Sequence, residues 1–296
     1  MGRILVVTLG GTICSSVENN DTIKLRTAPD KKIFEALKKK NELSYMTPVL
    51  YSSENADEEC FRKALSAIVN ECEKDKPDGI LILHGTDSMA YFAQLAVRVL
   101  SYLDMPVLIT GSKLPMDDPH SDAVRNINYA RGLLSAACEG KLGAVTFGVV
   151  YSDEMMADTV FVPASRITDA NFSGDYGKFP GKPSVNTLSR EEVQKYLASP
   201  AKKILTVPDV PGYPYGEIDP AKFDAVLLET YHSGTQSVKG LPELVKKARE
   251  NNIPCFMGPV HQSKVMYDST RTLIDAGAEP LYDIPFEGCW AEVAVS

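Results

Sequence analysis

Apolar residues gather in short, β-branched runs along the first half of the chain, at Ile4–Val7, Gly79–Leu83, Pro106–Ile109 and Ala144–Val150. Runs this short and this uniformly apolar predict strands buried on both faces, as in parallel sheets. Between them the period changes: Phe61, Leu65, Ile68, Val69 and Cys72 fall on one face of a helix over Asp57–Asp75. Further helices are expected from Ser88 to about Leu103 and near Ser121–Cys138. This alternation predicts an α/β fold built on a mostly parallel, doubly wound sheet with helices on both faces. Asp153–Ile167 reads instead as an antiparallel hairpin, with Thr159–Val162 its clearest strand.

From Asp169 to about Lys203 the pattern lapses into Gly, Pro, Ser and Asp, with one short helix expected at Ser189–Leu197. A second α/β pattern follows. Its strands are expected at Ile204–Val207, Ala225–Thr230 and Pro254–Met257, and its helices at Gly240–Asn251 and near Asp268–Gly277. The expected organisation is a larger N-terminal domain over residues 1–185, a linker over 186–203 and a smaller C-terminal α/β domain over 204–296.

Composition narrows the class. A chain of 296 residues, 44% hydrophobic and 24% charged, has the balance of a globular enzyme with a large core. A net charge of −8, with no concentrated Lys/Arg stripe, argues against a nucleic-acid partner. No apolar stretch reaches the roughly 18–20 residues of a membrane span. The first core strand follows Met1-Gly2-Arg3 directly, so no secretory signal is expected. Cys14, Cys60, Cys72, Cys138, Cys255 and Cys289 show no paired spacing and read mostly as small buried hydrophobes. The expected location is cytoplasmic. No His/Cys/Asp cluster has metal-ligand spacing, so neither metal nor cofactor is expected.

The chemistry sits where the strands end. Thr8-Leu9-Gly10-Gly11-Thr12-Ile13, His84-Gly85-Thr86-Asp87-Ser88 and Thr110-Gly111-Ser112-Lys113-Leu114-Pro115 each follow an apolar run. Open α/β sheets place their sites at such strand ends, and a hydroxyl flanked by glycines there can serve as a nucleophile. Plainer readings stay open. Thr12 could be a turn residue after a Gly-Gly bend, Thr86-Asp87-Ser88 a helix N-cap, and Ser53 a cap before the next helix.

In these motifs, with Ser53-Glu54-Asn55, Ser121-Asp122, Asn126 and Tyr231-His232-Ser233-Gly234-Thr235, the chain resembles the bacterial-type L-asparaginase family, in particular its cytoplasmic, type I-like branch. The likeness is strong to about Gly148 and looser beyond. It implies an amidohydrolase in which Thr12, after Gly11, is the acyl-forming nucleophile and Thr86 a second essential hydroxyl. Asp87 would hold the substrate's α-amino group, and Ser53, with Glu54 nearby, its α-carboxylate. Ser112 would line the same pocket. The resemblance also implies a homodimer or dimer of dimers, in which a neighbour's smaller domain helps close the site. His84 reads as structural, and His232 as shaping a loop rather than ligating metal.

Two departures stand out. Family members carry a tyrosine in the loop after the nucleophile, whereas Cys14–Thr27 contains none and Tyr45 is the first in the chain. They also carry a lysine after the fifth strand. Here no lysine lies between Lys141 and Lys178, and Arg166, the one basic residue between them, cannot act as a base near neutral pH. Lys113, in a loop bordering the pocket, could supply the missing amine if desolvated there; alternatively it is a solvated loop-tip lysine.

The leading expectation is therefore hydrolysis of L-asparagine, or a close amide relative, to aspartate and ammonia. A second is a catalytically weakened, asparaginase-like amino-acid-binding protein. A third, the glutaminase subunit of a tRNA-dependent amidotransferase, is disfavoured because such subunits carry an extra N-terminal domain.

Overall fold

The computed structural model describes residues 2–18, 22–26, 33, 42–141, 147–151, 154–157 and 185–296. Two compact units emerge. Among the described residues, the first comprises those up to 157 together with Thr187–Ser199, and the second comprises residues 185–186 and Pro200–Ser296.

The first unit is built on a six-stranded sheet. Its strands are β1 (Arg3–Thr8), β4 (Glu42–Met46), β5 (Gly79–Leu83), β6 (Val107–Thr110), β7 (Phe147–Tyr151) and β8 (Glu154–Ala157), in the order β4-β1-β5-β6-β7-β8. All neighbours pair parallel except β7 and β8, which are antiparallel. The antiparallel pairing of β8 with β7 differs from the hairpin expected within Asp153–Ile167, most of which, Thr159–Val162 included, lies outside the described residues. A short hairpin, β2 (Ser15–Val17) with β3 (Ile23–Leu25), follows the first turn.

Side-chain alternation assigns the helices to faces. Ile4, Val6, Leu81, Leu83, Leu108 and Val150 pack with Ala123, Ile127, Ala130 and Leu134 of α3 (Ala123–Cys138). The intervening strand residues point the other way, towards α1 (Glu58–Asp75) and α2 (Met89–Leu100). Asp57 starts α1 by accepting a hydrogen bond from the Cys60 amide, and the predicted stripe Phe61, Leu65, Ile68, Val69 and Cys72 is buried. Each large apolar side chain so buried contributes about 1.5–3 kcal/mol. Helix α4 (Arg190–Ala198), opened by a Ser189/Glu192 capping box, belongs to this unit. Its Tyr196 hydroxyl donates to buried Glu58 at 2.6 Å, and the Arg62 guanidinium lies 3.9 Å above the Tyr196 ring.

The second unit holds a four-stranded parallel sheet, β9 (Ile204–Val207), β10 (Ala225–Glu229), β11 (Cys255–Val260) and β12 (Glu279–Tyr282), neighbours in that order. One face packs on α5 (Leu241–Glu250) and α6 (Asp268–Ala276), through Val226, Leu228 and Met257. The other, through Leu227 and Phe256, packs on α7 (Phe286–Val295). Four of the six cysteines are buried, and all six are free thiols. Among the described residues no helix is long and apolar enough to cross a membrane, and no cluster could hold a metal ion.

Candidate active site

In the first sheet β1 lies between β4 and β5, so the chain leaves β1 to one side and returns to the other. Open α/β sheets form their ligand crevice at such a reversal, outside the carboxyl ends of the strands. The loop Gly10-Gly11-Thr12 follows β1, and His84–Ser88 follows β5. Backbone bonds from Leu9 N to Leu83 O and from His84 N to Thr110 O carry the register past the strand ends.

Only glycine fits where these loops meet. A Cβ at Gly11, whose φ is +74°, would lie 2.0 Å from Gly85 Cα; one at Gly85 would lie 2.4 Å from Ser53 Oγ. A Cβ on Gly111 would meet the His84 carbonyl at 2.5 Å and the Thr86 methyl carbon at 3.4 Å. The structure thus brings Gly11, Ser53, Gly85, Thr86 and Gly111 together although the chain separates them widely.

Ser53, buried, donates to the Asp87 carboxylate at 2.6 Å, while Asp87 itself is exposed. Ser88 donates to the Ser53 carbonyl at 2.7 Å and makes no capping bond to α2. Ser53 does not cap α1 either, because Asp57 does. Glu54 is exposed beside Ser53. Thr12 and Thr86 are half-buried, and among the described residues neither hydroxyl has a hydrogen-bond partner.

The third loop is braced from α3. Asn126 donates to the Gly111 carbonyl at 2.9 Å and to Asp122 at 3.0 Å, and the Lys113 amide donates to Asp122 at 2.8 Å. Ser112 and Ser121 both donate to the Leu114 carbonyl, so the buried Ser112 hydroxyl is engaged within its own loop. Lys113 is exposed rather than desolvated, and its amine forms no ion pair among the described residues.

Behind the loops His84, read as structural from the motif, sits in a buried aromatic cluster whose other members, Tyr51 and Phe92, no motif marks. Tyr51 OH is 2.9 Å from His84 Nε2, and His84 Nδ1 is 2.7 Å from the Gly85 carbonyl. A carbonyl only accepts, so Nδ1 carries the proton and Nε2 accepts from Tyr51. The His84 ring stacks on Phe92 at 4.7 Å. Burial, outweighing the Gly85 hydrogen bond, lowers the His84 pKa to about 4, so the imidazole is neutral at pH 7. Burial likewise raises the Tyr51 pKa well above normal, with a smaller push from Cys60.

The profile of the family described as Asparaginase, N-terminal matches residues 3–160. A glutamyl-tRNA(Gln) amidotransferase subunit of Saccharolobus solfataricus is 26% identical over 319 residues, covering 95% of this chain and 68% of its own length. The corresponding protein from Methanosarcina barkeri is 25% identical over 300 residues, covering 93% and 69%. Among solved structures, a probable cytoplasmic L-asparaginase from Campylobacter jejuni shares the fold with a TM-score of 0.73 at 15% identity, covering 100% of this chain and 94% of its own. The thermostable L-asparaginase from Thermococcus kodakarensis does so with a TM-score of 0.61 at 21% identity, covering 99% and 92%. Since the profile spans more than half of the 296 residues and contains all three strand-end motifs, the chain belongs to the asparaginase family.

Proposed function

We propose that the protein hydrolyses the side-chain amide of L-asparagine, or of a close amide relative, to aspartate and ammonia. The observation that carries this is the meeting of Gly11, Ser53, Gly85 and Asp87 at the sheet reversal, beside two threonine hydroxyls without a hydrogen-bond partner among the described residues. A structural hydroxyl in a half-buried loop is normally hydrogen-bonded, so two open ones fit a ligand. In the proposed reaction Thr12 Oγ1 attacks the amide carbon to form an ester, the C–N bond breaks, and the departing NH2 group takes the proton the hydroxyl loses and leaves as ammonia. Water then cleaves the ester to release aspartate and restore the hydroxyl. Asp87 pairs with the α-amino group and Ser53 donates to the α-carboxylate, giving up its bond to Asp87 as it does so. Glu54 flanks the mouth, and Ser112 keeps the third loop in shape. No cofactor enters the reaction.

Ammonia release from L-asparagine, L-glutamine and their D-forms, with Thr12→Ala as the blank, tests this. Asparagine turnover abolished in the variant is the expected result; wild-type protein inert towards every amide would refute hydrolysis and favour an amino-acid-binding role. Lys113→Met decides how Thr86 is activated. A fall in kcat of roughly 10²–10⁴ with KM unchanged assigns the amine to that step, and an unchanged kcat removes it.

The likeness to the amidotransferase proteins named above supports a second reading, a glutaminase that feeds ammonia to a tRNA-dependent partner. Glutamine turnover that appears only with such a partner would favour it. We also propose a homo-oligomer built from dimers, which analytical ultracentrifugation at micromolar concentration would test.

A further inference from the structure

Tyr151 is the last residue of β7, and its neighbour Val150 pairs with Thr110 of β6. It therefore stands beside Gly111, the residue that approaches the Thr86 methyl group. Val150 packs on the α3 side of the sheet, so alternation turns Tyr151 to the opposite face, where α2 begins just after Asp87. The residue is 2% exposed, yet its hydroxyl has no hydrogen-bond partner among the described residues. Other tyrosine hydroxyls of this unit are bonded: Tyr51 to His84, Tyr196 to Glu58 and Tyr102 to Glu73. Tyr151 thus buries its ring and leaves an O–H, unpaired among the described residues, at the strand end beside Gly111, where a ligand acceptor can meet it.

Burial chiefly, then the charges of Asp122 and Asp87, raise the Tyr151 pKa. Gly111, beside Tyr151 in the register, turns to the same face: a Cβ there would meet Met89 of α2 at 2.7 Å and the Thr86 methyl carbon at 3.4 Å. The Tyr151 proton is held well beyond neutral pH. The group can donate but cannot serve as a base.

We propose that Tyr151 is a catalytic hydrogen-bond donor of this pocket, its O–H aimed at the side-chain carbonyl oxygen of the bound amino-acid amide. This rests on the function proposed above. The donor gains most when negative charge builds on that oxygen during attack, so its contribution belongs to the transition state. No proton is transferred.

Tyr151→Phe keeps the ring and removes only the donor. The expected result is a fall in kcat of roughly 10²–10³ with KM and melting temperature little changed. Unchanged kcat in an active protein would overturn the inference, as would an effect confined to KM, which would belong to ground-state binding. A purely structural hydroxyl would instead lower the melting temperature and spare kcat. A second readout does not need turnover. In protein labelled with ¹³Cζ-tyrosine, the signal missing from Tyr151→Phe should shift on addition of L-aspartate, whose side-chain carboxylate stands where the amide was. Absence of a shift at saturating aspartate would overturn the inference. If wild-type protein proves inert while that shift appears, the proposed hydrolysis fails and the placement of the phenol stands.

Discussion

The two mostly parallel sheets end in loops of similar composition whose threonines differ in their partners. After β10 come Thr230 and Tyr231-His232-Ser233-Gly234-Thr235; after β5 come His84-Gly85-Thr86-Asp87-Ser88. In the second unit the hydroxyls are internally bonded. Thr230 donates to the Pro259 carbonyl at 2.5 Å, Ser233 and Thr235 lie 2.8 Å apart, and Thr270 donates to the Gly234 carbonyl at 2.8 Å. In the first unit Thr12 and Thr86 bond to nothing among the described residues, and glycine contacts hold their loops in place. Composition alone cannot separate a loop tied to itself from one open to a ligand. The partners of the hydroxyls can.

The sharpest way to break this contrast is Thr12→Ala. If Thr12 is the nucleophile, kcat should fall by more than about 10³, on the scale seen when a nucleophile is deleted. The melting temperature should hold, because no internal hydrogen bond is lost. A clear drop in melting temperature with residual activity intact would make Thr12 a loop residue like those of the second unit.

A smaller effect comes from the cluster behind the open loops. His84 has a folded pKa of about 4 against an ordinary 6.5. Below pH 6.5 the unfolded chain takes up a proton that the native imidazole refuses, so stability is fully present above that pH. It is lost as pH falls from 6.5 towards 4, by about 3 kcal/mol in total. Urea unfolding of wild type and His84→Gln across this range should show a steeper loss for wild type. Parallel slopes would mean that another group governs the acid limb.

Where sequence and structure agree or part has a physical pattern. Ile4–Val7 and Gly79–Leu83 are readable as strands because burial on both faces forces continuous apolar runs, and the glycines of the three motifs mark backbone approaches that admit no Cβ. Strand β4 escaped because an edge strand with exposed Glu42 and Tyr45 has no such pattern. Helix α7 escaped because it is apolar nearly all round, leaving no stripe to read. The sequence pattern puts helix α4 within a linker. Its attachment to α1 joins Tyr196 to Glu58 and Arg62, more than 130 residues earlier in the chain, and no local pattern encodes such a meeting. Tyr51, His84 and Tyr151 matter for the same non-local reason. The Lys38-Lys39-Lys40 run, which reads as favouring a helix C-terminus, lies outside the described residues.

The smallest effect tests the other side of the comparison. Thr230 is 5% exposed, and its hydroxyl satisfies the carbonyl of Pro259 in the next strand. Thr230→Val keeps the shape of the side chain and removes the donor. The carbonyl then loses its partner in a part-buried place, at a cost of about 0.5–1.5 kcal/mol. That loss should appear as a melting-temperature drop of a few degrees, with ammonia release per folded molecule unchanged. Thr12→Ala and Thr230→Val would then form a crossed pair, one losing rate without stability and the other stability without rate. If Thr230→Val instead lost rate at full stability, the second unit's loops would have to be counted among the ligand-facing ones. A bonded hydroxyl would then no longer mark a loop as structural.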